Sequence, residues 1–265
     1  MAKTLKQIGF DVTTQIDGTY TGMRKAIVNF GRKLKRSGGT TTGLVFYAGH
    51  GIQANGKNYL IPVNAQIEDE AELEIAAVDA NWILAMMDGA QNDLNFVILD
   101  ACRNNPFARA FRSVSRGLGR MDAPSGTMIA YATSPGEVAA DGIGLNSPYT
   151  LALTEAMLKP NLSSSDMFID ARNQVMKATG EKQVPWEEGA ITAKFYFAGL
   201  TTTTEATTQQ TNMTPEMMFW QSIQNSQSVS DYEAYLSQYP DGSFSVLAKS
   251  RIELFTSKSI NTEPE

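Results

Sequence analysis

Apolar segments of strand length alternate with amphipathic segments of helix length along the first 200 residues. Residues 96–99 form a continuous apolar run, which is typical of a strand buried on both faces of a sheet. Residues 42–48 are also strand-like. Residues 21–35 repeat apolar residues at helical spacing and carry basic residues on the other faces. This alternation predicts an α/β fold, with a mostly parallel sheet and helices on both of its faces.

The same patterns predict the remaining elements of a domain over residues 1–199. Turn residues at 53–58 indicate a small hairpin that ends near Pro62. The other predicted elements follow from apolar residues that recur every third or fourth position in helices, or cluster with β-branched residues in strands. Helices are expected at 2–8, 78–87, 148–158 and 167–179, and strands at 10–15, 127–132 and 193–197.

The last quarter of the chain differs in composition from the rest. Residues 200–213 are rich in Thr and Gln and cannot bury an apolar face, which predicts a polar linker. Residues 214–258 are expected to form short helices, followed by a tail at 259–265. The Tyr-Pro-x-Gly-x-Phe turn at 239–244 resembles those of tetratricopeptide-like helical modules. A single unit is too short for a stable array, so we expect it to dock on the rest of the chain or on a protein partner.

Charge and composition exclude some classes of function. The formal net charge of −6 argues against a nucleic-acid-binding protein, because phosphate binding needs a concentrated basic surface. No apolar run is long enough to cross a bilayer, and no signal peptide is evident. The single cysteine excludes an internal disulfide, so the cytoplasm is the expected compartment. A periplasmic location stays open if the natural chain starts upstream of Met1.

Two predicted strands end in complementary chemistry. The strand at 42–48 runs into the only histidine, His50, and the strand at 96–99 runs into Cys102, the only cysteine. Because parallel strands present their carboxyl ends at one edge of a sheet, the two side chains are expected to be neighbours. A thiolate is a strong nucleophile, and an adjacent imidazole either takes its proton or stabilises the anion. Taken singly, each residue is more often structural; together they predict a catalytic dyad.

The residues around this pair resemble a known family. Tyr47-Ala48-Gly49-His50-Gly51, followed by Asp100-Ala101-Cys102-Arg103, is similar to the His-Gly and Ala-Cys signatures of caspase-like cysteine peptidases. That clan includes caspases, paracaspases, metacaspases and bacterial orthocaspases, and a His about 50 residues before the Cys is a known property of caspases. The resemblance covers about residues 3–200 and suggests the bacterial type.

The resemblance implies a cysteine endopeptidase that acts on proteins or peptides and requires no cofactor. Cys102 would attack the peptide carbonyl, and His50 would protonate the leaving amine. Gly51 and the backbone N–H of Cys102 would hold the oxyanion. A catalytically silent caspase-like scaffold that binds partners through its C-terminal helices is the alternative, and a hydrolase of another fold comes third.

The resemblance also bears on substrate preference. Asp100 stands where caspases have a glutamine lining the S1 pocket and metacaspases have an aspartate, and Asp141 falls on the position of a caspase arginine that binds substrate aspartate. An acidic pocket would bind Arg or Lys at P1. We therefore expect cleavage after basic residues. Asp141 in Ala-Asp-Gly also fits an ordinary solvated turn.

Two further stretches carry open alternatives. Residues 103–125 form a basic, glycine-containing loop, which is either solvated or a processing linker cut by the enzyme itself. In the second case, Arg116 and Arg120 are the expected cleavage sites, because adjacent glycines favour flexibility. Residues 68–74 are acidic and could suggest calcium binding, but they lack an alternating oxygen-ligand loop, which favours a solvated helix start.

The start of the sequence departs from the family pattern. Members of the clan begin with an apolar strand, whereas this sequence begins within the expected first helix. We expect the chain to be a fragment whose Met1 is an internal methionine; the alternative is a sheet that lacks one strand and part of the substrate pocket. Loss of a buried strand exposes apolar surface and unpaired backbone, so lower stability is expected.

Overall fold

The structure is a computed structural model that describes residues 1–101, 117–142, 144–201 and 214–260, with side chains to residue 256. The chain divides into two compact units, Met1–Leu200 and Thr201–Glu265. The first unit contains β1 (Thr42–Gly49), β2 (Gly51–Ala54), β3 (Lys57–Leu60), β4 (Val78–Asp79), β5 (Leu94–Ala101), β6 (Thr127–Tyr131) and β7 (Trp186–Gly189). Its helices are α1 (Ala2–Gln7), α2 (Tyr20–Ser37), α3 (Leu73–Ala76), α4 (Asn81–Asp88), α5 (Pro148–Met157) and α6 (Ser164–Thr179).

The central sheet has the strand order β1-β5-β6-β7. The first three strands are parallel and β7 is antiparallel to β6, which confirms the predicted mainly parallel sheet. All eight residues of β5 are buried, whereas β1 is mostly half-buried and has one sheet neighbour among the described strands. A second, antiparallel sheet of order β2-β3-β4 follows the carboxyl end of β1.

Helices cover both faces of the central sheet, as predicted. On one face, Phe96 of β5 packs against Phe168 of α6, with ring centroids 6.2 Å apart. On the other face, Gly43 of β1 lies against Leu34 of α2 and Met87 of α4. Successive residues of a strand point to opposite faces, so the even-numbered residues of β5 face α5 and α6.

Local sequence signals explain where the helices begin. The Thr19 and Ser147 hydroxyls accept hydrogen bonds from Gly22 N–H and Thr150 N–H, at the starts of α2 and α5. The acidic run begins a helix, as favoured above. Asp69 accepts from Ala71 N–H at 2.9 Å, and Glu72 reaches back to complete a capping box.

Three predictions of local structure are wrong. Residues 10–15 form no strand among the described residues, and a helix predicted from 78 begins at Asn81, because Val78–Asp79 pairs with β3 instead. The last strand is Trp186–Gly189, and residues 193–197 are not one. A strand exists only where a partner offers backbone hydrogen bonds. Phe195 and Phe197 instead form an aromatic cluster with Phe10 and Phe96.

The second unit contains α7 (Pro215–Ile223), α8 (Val229–Gln238) and α9 (Ser245–Ile260). Its buried centre is aromatic, with Trp220 stacked on Phe244 at 5.0 Å between ring centroids. Glu216 accepts hydrogen bonds from the Tyr235 hydroxyl and from Ser243 N–H, each at 2.6 Å.

Among the helices of the described residues, none has the length and apolarity needed to span a membrane.

Candidate active site

The two predicted catalytic residues follow equivalent positions of the paired strands β1 and β5. Thr42 pairs with Leu94, and the same offset of 52 residues continues to the last pair, Gly49 with Ala101. His50 and Cys102 are separated by the same offset and directly follow that last pair. Cys102 itself lies outside the described residues.

His50 occupies the turn between β1 and β2, where its side chain is exposed. Its backbone carbonyl accepts hydrogen bonds from Ile61 N–H at 3.0 Å and from the Tyr47 hydroxyl at 2.8 Å. The Tyr47 hydroxyl also lies 3.2 Å from the Ile61 carbonyl oxygen. A Cβ at residue 49 would lie only 2.6 Å from that hydroxyl, which explains the glycine before the histidine. The turn is therefore held at the His50 carbonyl, by one backbone donor and one side-chain donor.

Gly51 is buried and opens the hairpin. It pairs with Leu60, and the hydrogen bond from Ile61 N–H to the His50 carbonyl marks this as a non-hydrogen-bonded pair. In such a pair the N–H groups point away from the partner strand. A Cβ at Gly51 would lie 2.8 Å from Leu118 and 3.2 Å from Ala101. The Gly51 N–H is thus free of the β2–β3 ladder, at the end of β5.

Asp100 is buried, with 7% of its surface exposed, on the face of β5 that α5 covers. Its Oδ2 accepts hydrogen bonds from the Ser147 hydroxyl and, at 2.5 Å, from the Thr150 hydroxyl. Its cross-strand neighbour in β1 is Ala48, a small and exposed residue. The carboxylate is held by the N-cap residue and the first turn of α5. The neighbouring residue in β1, Ala48, is too small to cover it.

Tyr149 is fully buried in the same turn of α5. Its hydroxyl has no hydrogen-bond partner among the residues that the structure describes. Burial raises the pKa of Tyr149 far above its ordinary value, and the negative charge of Asp100 raises it further. The tyrosine therefore stays neutral beside the aspartate.

Asp141 lies in the segment between β6 and α5, where it is exposed. The next residue, Gly142, has a positive φ of 77° and packs against Asn146 and Pro148. This segment ends at Ser147, whose hydroxyl donates a hydrogen bond to Asp100.

Arg120 and both of its sequence neighbours make hydrogen bonds in the structure. Its guanidinium binds Glu188 through Nε at 2.8 Å and Nη2 at 2.5 Å. Gly119 before it is buried and bonded to Asn58, and the N–H of Met121 after it donates to the Tyr131 hydroxyl. These contacts hold the chain on both sides of Arg120, and cleavage after Arg120 stays a prediction. Arg116 lies outside the described residues.

Several supporting residues were missed in the sequence. Ser147 followed by Pro148 is a recognisable helix start, but nothing local indicates that its hydroxyl also binds Asp100. Tyr47 reads as one more apolar strand residue, and Asn58 as a turn residue. Ser147 and Asn58 have partners 47 and 61 positions away, and Tyr47 also contacts Ile61, 14 positions away. Only the folded chain identifies these contacts.

Comparison with known proteins gives a consistent result. A family model described as "Caspase domain" matches residues 1–196. The mucosa-associated lymphoid tissue lymphoma translocation protein 1 of Homo sapiens is 31% identical over 103 residues, and its homolog of Mus musculus is 30% identical over 103 residues. Each alignment covers 39% of this chain and 12% of the relative. The chain thus matches only about an eighth of those proteins' length.

Proposed function

Because the chain belongs to the caspase-domain peptidase family, we propose that it is a cysteine endopeptidase with Cys102 as nucleophile and His50 as general acid and base. The observation that carries this proposal is the shared register. His50 and Cys102 directly follow the last paired residues of two parallel strands, and neighbouring strands lie about 4.8 Å apart. Thiol and imidazole within reach of each other are what thiol acylation needs.

The reaction is acyl transfer in two halves. The Cys102 thiolate adds to the peptide carbonyl, and the resulting oxyanion accepts hydrogen bonds from the N–H groups of Gly51 and Cys102. The C–N bond breaks as protonated His50 donates its proton to the leaving amine. Water then attacks the thioester as neutral His50 takes its proton, and the C–S bond breaks to release the carboxylic acid product and restore the Cys102 thiolate and protonated His50. The free orientation of the Gly51 N–H, away from β3, supports its part in this scheme.

The proposed P1 preference is for Arg and Lys, with Asp100 as the residue that binds the cation. Its burial, its two hydroxyl donors from α5 and the small neighbour Ala48 support a fixed carboxylate at the floor of a pocket. Burial strengthens a charge-assisted pair, because water screens it less. Asp141 contributes less, since it is exposed.

Self-processing is proposed to follow Arg116 rather than Arg120. The backbone around Arg120 is bound by Asn58 and by the Tyr131 hydroxyl, and a protease needs an extended, movable substrate segment. Intact mass of Arg116→Gln and Arg120→Gln after incubation tests this choice. The cut should disappear in the first variant and persist in the second; the reverse pattern would refute it.

The decisive experiment compares peptides that release a fluorophore after Arg, Lys or Asp at P1. Wild-type chain should cleave the Arg and Lys peptides, and Cys102→Ala and His50→Ala should each lose at least about 10³-fold of kcat. Cleavage that survives in Cys102→Ala would overturn the proposed nucleophile. A preference for Asp at P1 would overturn the proposed pocket but leave the dyad in place.

The proposed organisation is a peptidase domain at 1–199, a linker at 200–213 and a tetratricopeptide-like module at 214–258 that docks on a protein partner. The separate aromatic core of α7, α8 and α9 supports an independent module. Limited proteolysis should cut within 200–213 and leave two resistant fragments. Equal resistance along the whole chain would contradict this organisation.

A further inference from the structure

Asn58 of β3 makes an unusual pair of hydrogen bonds. The side chain is 1% exposed. Its Nδ2 donates to the Gly119 carbonyl at 2.7 Å, and its Oδ1 accepts from Gly119 N–H at 2.8 Å. One amide side chain therefore satisfies both backbone groups of a residue 61 positions away. The hairpin and the chain that returns after residue 116 are joined at this point.

The residue before Gly119 lies against the proposed oxyanion donor. Leu118 is 2% exposed, and its Cδ2 would be 2.8 Å from a Cβ at Gly51. Leu118 therefore occupies the space that a side chain at Gly51 would need. The Leu118 carbonyl also accepts a hydrogen bond from Gly136 N–H at 3.3 Å. Both neighbours of Leu118 in the sequence are glycines: Gly117 lies too close to the Glu137 backbone for a Cβ, and Gly119 lies against the side-chain amide of Gln53.

Gly51 has reason to need such support. Glycine has no side chain to restrict its backbone. The peptide that carries its N–H is anchored at the His50 carbonyl by Ile61 N–H and the Tyr47 hydroxyl, while the N–H itself makes no bond in the β2–β3 ladder. A donor for an oxyanion must be held in place before the reaction, since a misplacement of about 1 Å can cost about 100-fold in rate. Leu118 packs at the Gly51 Cα, which is the other end of this peptide from the bonded His50 carbonyl oxygen.

We propose that Asn58 is a positioning residue, which holds Leu118 against Gly51 and thereby fixes the Gly51 N–H toward the developing oxyanion. This inference rests on the proposed function and adds to it the device that prepares the oxyanion site. Asn58 touches no reacting atom. It acts through Gly119, then Leu118, then Gly51.

The kinetic test uses Asn58→Leu, which preserves approximate side-chain volume and removes both hydrogen bonds. Asn92→Leu is the matched control, because Asn92 Nδ2 bonds the Thr41 and Leu94 carbonyls, each at 2.9 Å, at the opposite end of β1 and β5. We expect kcat for an Arg peptide to fall about 10- to 100-fold in Asn58→Leu with KM within about twofold. The control should keep the wild-type kcat.

Alkylation of Cys102 by iodoacetamide separates positioning from general damage. The thiolate displaces iodide from carbon and builds no oxyanion, so this rate should stay within about twofold of wild type in Asn58→Leu. A parallel loss of alkylation and of kcat would overturn the proposal, because it would indicate disruption of the dyad. An unchanged kcat would overturn it as well.

Hydrogen exchange tests the same device without activity. Backbone exchange over residues 49–54 should speed up in Asn58→Leu and remain unchanged in Asn92→Leu; equal protection in all three proteins overturns the inference.

If Asn58→Leu does not fold, Leu118→Ala serves as the test variant, since it keeps the Asn58–Gly119 bonds and removes the packing on Gly51. Failure of the proposed function is seen separately, as wild-type cleavage that equals that of Cys102→Ala.

Discussion

The carboxyl ends of β1 and β5 lie side by side, but they are built differently. β5 is buried along its full length, and its end is held by side-chain bonds from Asp100 to α5. β1 is half-buried, and its end is held by backbone bonds at the exposed turn of His50. The buried strand carries the proposed pocket acid and leads to the proposed nucleophile, Cys102. The half-buried strand leads to the exposed His50, the proposed proton carrier, and an exposed imidazole can exchange protons with water.

The expected contrast in stability is between the paired residues Val45 and Val97. Val97→Ala removes fully buried methyl groups and leaves a cavity, so it should lower the free energy of unfolding by about 2 to 3 kcal/mol. Val45→Ala, at a half-buried site, should cost about 1 kcal/mol. Urea unfolding of the two variants measures the difference, and equal losses would show that the strands are equally buried in solution.

The next contrast is in substrate preference, between Asp100 and Asp141. Asp100→Asn keeps acceptors for Ser147 and Thr150 but removes the charge, so kcat/KM for Arg peptides should fall about 100-fold, or about 3 kcal/mol. Asp141→Asn removes an exposed charge and should cost less than about 1 kcal/mol. Cleavage of a neutral-P1 peptide is the control in both variants. A larger loss in Asp141→Asn would reverse the assignment of the pocket acid.

The smallest contrast concerns single hydroxyls at the two strand ends. Tyr47→Phe removes the bond to the His50 carbonyl and should lower kcat about fivefold, with KM unchanged. Thr150→Val removes a bond to Asp100 and should raise KM for Arg peptides about fivefold, with kcat unchanged. Steady-state kinetics with Thr150→Ser, which restores a hydroxyl, checks the second effect. If Tyr47→Phe and Thr150→Val both changed kcat, or both changed KM, the ends of β1 and β5 would not have the separate roles proposed here.

Long, strongly patterned elements were predictable, and elements that depend on a distant partner were not. The run at 96–99 and the amphipathic helix at 21–35 carry their own signals, and both are present in the structure. β4 is two residues long and exists only because β3 lies beside it. The aromatic residues 195 and 197 suit a strand locally, but they pack into a ring cluster with Phe10 and Phe96.

The sequence by itself determined which groups are available for chemistry: one histidine after one strand, one cysteine after another, and an acid two residues before the cysteine. It also determined the α/β class, because periodicity is a local property. The tertiary structure decided which backbone and hydroxyl groups surround these residues. Ser147 and Thr150 bind Asp100, Tyr47 bonds the His50 turn, and Asn58 fixes Gly119. These contacts follow from strand register and helix packing, which bring together residues that no local pattern relates.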